Sequence, residues 1–271
     1  MHLWQVARGD YGWLTPDLPI YRDYGLDDAR TVASEIDGVI LIQAAPSEAE
    51  THFLLDIAHR SNRFVRAVVG WTDLAAPEAP ARIAALARNP MLRGLRPMLQ
   101  DIADPDWILR ADVTRGLDAM VQAGLSLDLL IRPIHLTRCI SLATRHPGLA
   151  MVIDHGAKPD IAGGDISRWA ELMATIAAHP NLACKLSGLL SECAPGDSSS
   201  DVRPYARVVI ECFGPDRVIW GSDWPVLTLA ATYQHWHSLA TAIVRAESPA
   251  AEFAIFGGNA ERFYRLQRTD R

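Results

Sequence analysis

Residues Leu149–His155 read LAMVIDH, an apolar run that ends on a carboxylate and an imidazole. Six more runs share this form: Gly38–Gln43 (GVILIQ), Phe64–Gly70 (FVRAVVG), Leu92–Pro97 (LRGLRP), Leu125–Ile131 (LSLDLLI), Leu182–Gly188 (LACKLSG) and Val218–Asp223 (VIWGSD). They are nearly continuous in Val, Ile and Leu rather than cleanly alternating, which is how strands buried on both faces of a parallel sheet read. Helical patterns lie between them, at Glu48–Ser61, Ala79–Arg88, Val113–Ala123, Leu136–His146, Ser167–His179, Val202–Cys212 and Leu229–Ala246. Several stop at breakers: Asn89-Pro90, Gly124, Pro147-Gly148 and Pro180. The spacing is that of a βα unit with its loops.

Seven strands alternating with helices suit a closed barrel or an open, doubly wound sheet. The open sheet carries a Gly-rich phosphate turn after its first strand. Here Gly163-Gly164 falls in a loop and Gly257-Gly258 follows no strand. The reading is therefore α/β: a (β/α)8 barrel, one domain over 1–271, distorted, its first strand truncated and supplied by the first few residues. A net charge of −6 gives no basic field for nucleic acid. No apolar run approaches the roughly 20 residues that span a bilayer. The start, MHLWQVARGD, does not read as a signal peptide. Four scattered cysteines, Cys139, Cys184, Cys193 and Cys212, read as reduced thiols, so the expected compartment is cytoplasmic.

A barrel holds its chemistry where its strands end. The polar residues there are Gln43, Arg96, Arg132, Asp154, His155, Lys185 and Asp223, with His2 near the start. Asp223 in WGSDWPV has a plain reading as a turn cap. It also ends an apolar strand between Trp220 and Trp224, which predicts a desolvated carboxylate of raised pKa, fit to be a general base. His155 is a structural imidazole or an acid/base and metal ligand. Arg96, between Leu95 and Pro97, suits gripping a carbonyl or carboxylate oxygen. Lys185 either faces polar contents or snorkels out. Strand alternation turns Asp154 away from His155.

The ordered motifs carry a resemblance over essentially the whole chain. They are HLWQVARGDYGWLTPDL, VILIQAAPSEAETHFLLDIA, LRGLRPMLQDIADPDW, VIDHGAKP, CKLSGLLSE, VIWGSDWPV and FGGNAERFY. Together they resemble the lactonase branch of the amidohydrolase superfamily, which includes sugar-lactone and pyrone-dicarboxylate hydrolases. The resemblance implies a distorted (β/α)8 barrel and hydrolysis of a cyclic ester, with Asp223 as general base and His155 on the carbonyl. Arg96, His2, Lys185 and Gln43 are then the substrate-binding candidates. His2 resembles the second member of the family's first-strand His-x-His pair, and the first member has no counterpart here. That leaves His2, His155 and Asp223 as a weakened site for one divalent metal, zinc by type, and leaves open whether the reaction needs it. A lone Arg at Arg96 favours a neutral sugar 1,4-lactone as the small-molecule partner, while Arg132 as a second arginine keeps dicarboxylate lactones open. A homodimer is left open. The alternatives are a metal-dependent decarboxylase of the same superfamily and a degenerate, non-catalytic barrel.

Overall fold

The structure is a computed structural model that describes residues 1–194 and 201–266. Each apolar run contains a strand: β1 (Val39–Ile42), β2 (Val65–Gly70), β3 (Leu92–Leu95), β4 (Ser126–Leu129), β5 (Met151–Ile153), β6 (Leu182–Leu186) and β7 (Val218–Trp220). They form one sheet in sequence order, with every neighbouring pair parallel. All C-terminal ends therefore open on the same side.

The helices are α1 (Leu26–Val32), α2 (Glu48–Arg60), α3 (Ala79–Leu86), α4 (Ala111–Ala123), α5 (Leu136–Arg145), α6 (Ser167–Ala177), α7 (Arg203–Phe213), α8 (Tyr233–Glu247) and α9 (Asn259–Phe263). Local chemistry sets several ends. Ser47 accepts the Glu50 N–H at 3.0 Å and starts α2, and Thr232 does the same for α8 through His235. Gly124, at φ +67°, ends α4 in the left-handed conformation that glycine adopts without penalty. One apolar layer fills the space between sheet and helices, Leu54, Ile83, Leu117, Leu142 and Met173 among it. A smaller set, including Ile42, Val69, Val152 and Ile219, packs on the inner face with Tyr264. Fully burying one such aliphatic side chain is worth about 1.5–3 kcal/mol, so the layers hold the strand ends in register.

The expected closure into eight strands is not made among the described residues. β1 and β7 are the two edges of the sheet and do not pair with each other. The first few residues do not form a strand, but their backbone links the two edges across the gap. The Ile42 N–H donates to the Met1 carbonyl at 2.9 Å, and the His2 N–H donates to the Trp224 carbonyl at 2.8 Å. Trp4 then turns away into an antiparallel bridge with Tyr24. The architecture is a curled, seven-stranded parallel sheet, an incomplete barrel that His2 spans at the end where the site lies. No helix among the described residues is long and apolar enough to cross a membrane.

Candidate active site

The end of β7 brings Asp223 to the centre of the opening, with φ +54°. Two imidazoles reach the same carboxylate oxygen. His2 Nε2 lies 3.3 Å from Asp223 Oδ1, and His155 Nε2 lies 3.7 Å from it. All three side chains are buried. Each imidazole is oriented by its other nitrogen: His2 Nδ1 by the Ile42 carbonyl at 2.8 Å, His155 Nδ1 by Ser187 Oγ at 2.9 Å.

The contact to Ile42 fixes one proton. A carbonyl only accepts, so His2 Nδ1 carries its hydrogen, and Nε2 donates to Asp223 only when the ring is an imidazolium. Burial lowers the His2 pKa, outweighing the hydrogen bond to Asp223, and so disfavours that form. As a neutral ring, His2 points a lone pair at a carboxylate. That is the arrangement a bound cation satisfies, and two imidazoles with a carboxylate are a zinc-type donor set whose outer hydrogen bonds aim the rings. By chemistry these residues fit a divalent metal, although the described residues close no cluster of three or more His, Cys, Asp and Glu into a ready cage.

Asp223 does not have the raised pKa expected for it. Burial does raise it, but His155, His2 and Lys158 outweigh burial and hold the carboxylate well below its usual range. The tryptophans expected to desolvate it pack elsewhere: Trp224 edge-on to Tyr24, Trp220 against Phe256 and Tyr233. His155 moves the other way. Burial lowers its pKa to about 4, more than Asp223 and Asp154 raise it, so the ring is neutral at pH 7.

The chain after β5 is a left-handed turn. His155, Gly156, Ala157 and Lys158 all have positive φ, between 53° and 63°. A non-glycine residue there costs about 1–2 kcal/mol, so three of them store strain of the kind found at functional sites. Gly188 packs beneath the turn, also at positive φ (+65°), and a Cβ added there would lie 2.4 Å from His155 Nδ1. Only glycine leaves room for that imidazole.

Behind these groups a buried ion network crosses the interior. Lys185 Nζ sits 2.5 Å from Asp128 Oδ2 and 2.7 Å from Asp154 Oδ1. Arg96 Nη1 donates to Asp154 Oδ2 at 3.0 Å, its Nη2 donates to the Gln43 carbonyl, and Tyr264 donates to Asp128 at 2.7 Å. Burial raises Asp154, but the two cations hold it well below the usual range; Asp128, with one cation, is pushed up by burial. The structure thus brings Arg96, Lys185 and Gln43 together, but ties all three to protein partners. Gln43 braces Arg96 through its Nε2, 2.7 Å from the Arg96 carbonyl. Asp154, set aside by strand alternation, is the centre of this network. Ser187, Asp128 and Tyr264 were missed as well, because no spacing rule marks a partner that arrives from another strand.

His2, Arg96, His155 and Asp223 border two cavities. One, of about 1360 Å³, extends into the gap between β1 and β7 and also meets Lys185. The other, of about 790 Å³, lies at the mouth between Trp13, Trp71 and Trp107, with Asp10, Asp73 and Asp101 on its walls. Arg132 borders neither cavity.

This arrangement has relatives. An amidohydrolase family profile matches residues 2–266. An L-fucono-1,5-lactonase of Burkholderia ambifaria is 45% identical over 274 residues, spanning 98% of this chain and 94% of the relative. Another, from Burkholderia multivorans, is 35% identical over 280 residues, with the same coverage. The crystal structure of an amidohydrolase from Burkholderia multivorans with bound zinc matches at a TM-score of 0.92 and 35% identity, covering 98% of this chain and 97% of that one. The chain belongs to the amidohydrolase family and is a hydrolase.

Proposed function

We propose that the chain hydrolyses a neutral sugar lactone to its hydroxy acid, with Asp223 as general base. One observation carries this most directly: a buried, ionised carboxylate faces two imidazoles at a cavity mouth. The two L-fucono-1,5-lactonase relatives support the ester chemistry and favour it over the decarboxylation known in the wider superfamily. The mouth supports the substrate class. Three tryptophans offer flat apolar faces to sugar C–H groups, and three carboxylates accept from hydroxyls while repelling an anionic ring. L-fucono-1,5-lactone is the first substrate to test, beside the 1,4-lactones expected from the sequence.

Water attacks the lactone carbonyl carbon, and its proton passes to Asp223. The carbonyl electrons move onto oxygen. Ser187 donating its hydroxyl to His155 Nδ1 leaves a proton on Nε2, placed to donate to that oxygen as charge develops. When the electrons return, the ring C–O bond breaks and the proton passes from Asp223 to the leaving oxygen. Arg96 borders the mouth and contacts substrate there, while Asp154 and Gln43 hold its guanidinium in place. Lys185 and Gln43, read from sequence as substrate contacts, act through Asp154 and Arg96. A divalent metal would be held by His2 Nε2, the Asp223 carboxylate and, in the tautomer whose Nδ1 donates to Ser187, by His155 Nε2, and would then take over from the Nε2 proton in polarising the carbonyl or acidify the water.

The test is acid release, followed with a pH indicator, on L-fucono-1,5-lactone, sugar 1,4-lactones and a pyrone dicarboxylate. Turnover of sugar lactones above the buffer rate, with none of the dicarboxylate, is expected. No turnover of any sugar lactone would overturn the reading.

A further inference from the structure

Two cations other than imidazole border the mouth cavity among the described residues: Arg96 and Lys158. They differ in how far they are already committed. The Arg96 guanidinium donates to Asp154 and to Gln43, and it is buried. Lys158 Nζ has one ion-pair partner, Glu192 Oε1, at 3.6 Å, beyond hydrogen-bond reach. Both of those side chains remain about one-fifth exposed, so this pair is a weaker commitment than the buried bonds of Arg96. Lys158 follows His155 by three residues on the left-handed turn, where a step of three returns a side chain to nearly the same face. The turn therefore presents an imidazole and an ammonium to one opening, beside Asp223. Its positive charge is felt at both His155 and Asp223.

His155 offers the carbonyl oxygen a single hydrogen bond, and the tetrahedral intermediate carries a full negative charge. We propose that Lys158 is a catalytic residue that leaves Glu192 to donate a hydrogen bond to the lactone carbonyl oxygen. Its contribution is made as that charge develops, and no bond to Lys158 forms or breaks. Glu192 parks the ammonium at the rim between turnovers, and the strained turn keeps it within reach of the site. This rests on the lactonase reading above.

The test compares Lys158→Met, Lys158→Arg and Glu192→Gln on the sugar lactone that the parent cleaves best. Met is as unbranched as Lys and leaves the backbone strain unchanged. Losing a charged donor aimed at an oxyanion costs about 10²–10³-fold in kcat, so Lys158→Met should fall by that order with KM changed less than threefold. Lys158→Arg should recover at least tenfold of the loss, which a purely structural role would not produce. Glu192→Gln breaks the ion pair and keeps the ammonium, so its loss should be at least tenfold smaller. Lys158→Met with kcat within threefold of the parent overturns the proposal and leaves the lactonase reading standing. So does Glu192→Gln matching the full loss, which would make the pair structural. A parent that opens no lactone defeats both.

Discussion

His2 Nε2 lies 3.3 Å from Asp223 Oδ1, joining two residues 221 positions apart at the point where β1 and β7 fail to meet. The backbone holds this contact in place, since the His2 N–H donates to the Trp224 carbonyl and the ring to the Ile42 carbonyl. Site assembly and the spanning of the sheet gap are thus one event. The imidazole that faces the carboxylate belongs to the segment that bridges the two edges.

Gly188→Ala tests how tightly His155 is placed. The new Cβ would overlap the imidazole, and alanine is strained at φ +65°. The expected outcome is a kcat lower by about 10²-fold, since misplacement by an ångström costs that much. Circular dichroism should still show a folded chain. Activity within threefold of the parent would mean that the ring moves without consequence.

The pH dependence of stability follows from His155. Its folded pKa of about 4 lies below the ordinary 6.5. The folded state therefore resists protonation, and the stability this gives is complete above pH 6.5 and lost as pH falls through 6.5 toward 4. Urea unfolding of chelator-treated protein at pH 7 and pH 5 should show the parent losing about 2 kcal/mol more than His155→Gln. Equal losses would place the His155 pKa near its unfolded value.

Much of this was legible in the sequence. The runs around β1 to β7 were visible because strands buried on both faces need continuous Val, Ile and Leu. Their ends gave Asp223, His155, Arg96, Lys185 and Gln43, because parallel strands share one catalytic side. The missing closure was not legible, since it depends on whether Met1–Trp4 continue along β1, and Trp4 instead bridges to Tyr24. The lowered Asp223 pKa is not legible, because the imidazoles that outweigh burial reach the carboxylate from distant points of the chain, His2 and His155. The roles of Asp128, Asp154 and Tyr264 depend on register between strands, which one sequence does not display.

Metal should matter less than the residues. His2, His155 and Asp223 supply three donors, but a metal must displace the His2 contact to Asp223 to enter. The expected result is partial, exchangeable zinc and lactonase activity that falls less than tenfold under a strong chelator. Metal content per chain, measured beside rates, checks this. A full equivalent of tightly held metal, with turnover lost on its removal and restored by zinc, would contradict it.

The general base is the centre of the account, and Asp223→Asn tests it most directly. Asparagine keeps the shape and accepts hydrogen bonds, but cannot take a proton from water. General-base assistance contributes about 10²–10⁴-fold, so kcat on L-fucono-1,5-lactone, or on the best sugar 1,4-lactone, should fall by that order with KM little changed. Stopped-flow acid release from the variant and the parent, at equal folded concentration, gives both constants. A kcat for Asp223→Asn equal to the parent's on every lactone the parent opens would make Asp223 a structural cap and contradict the mechanism.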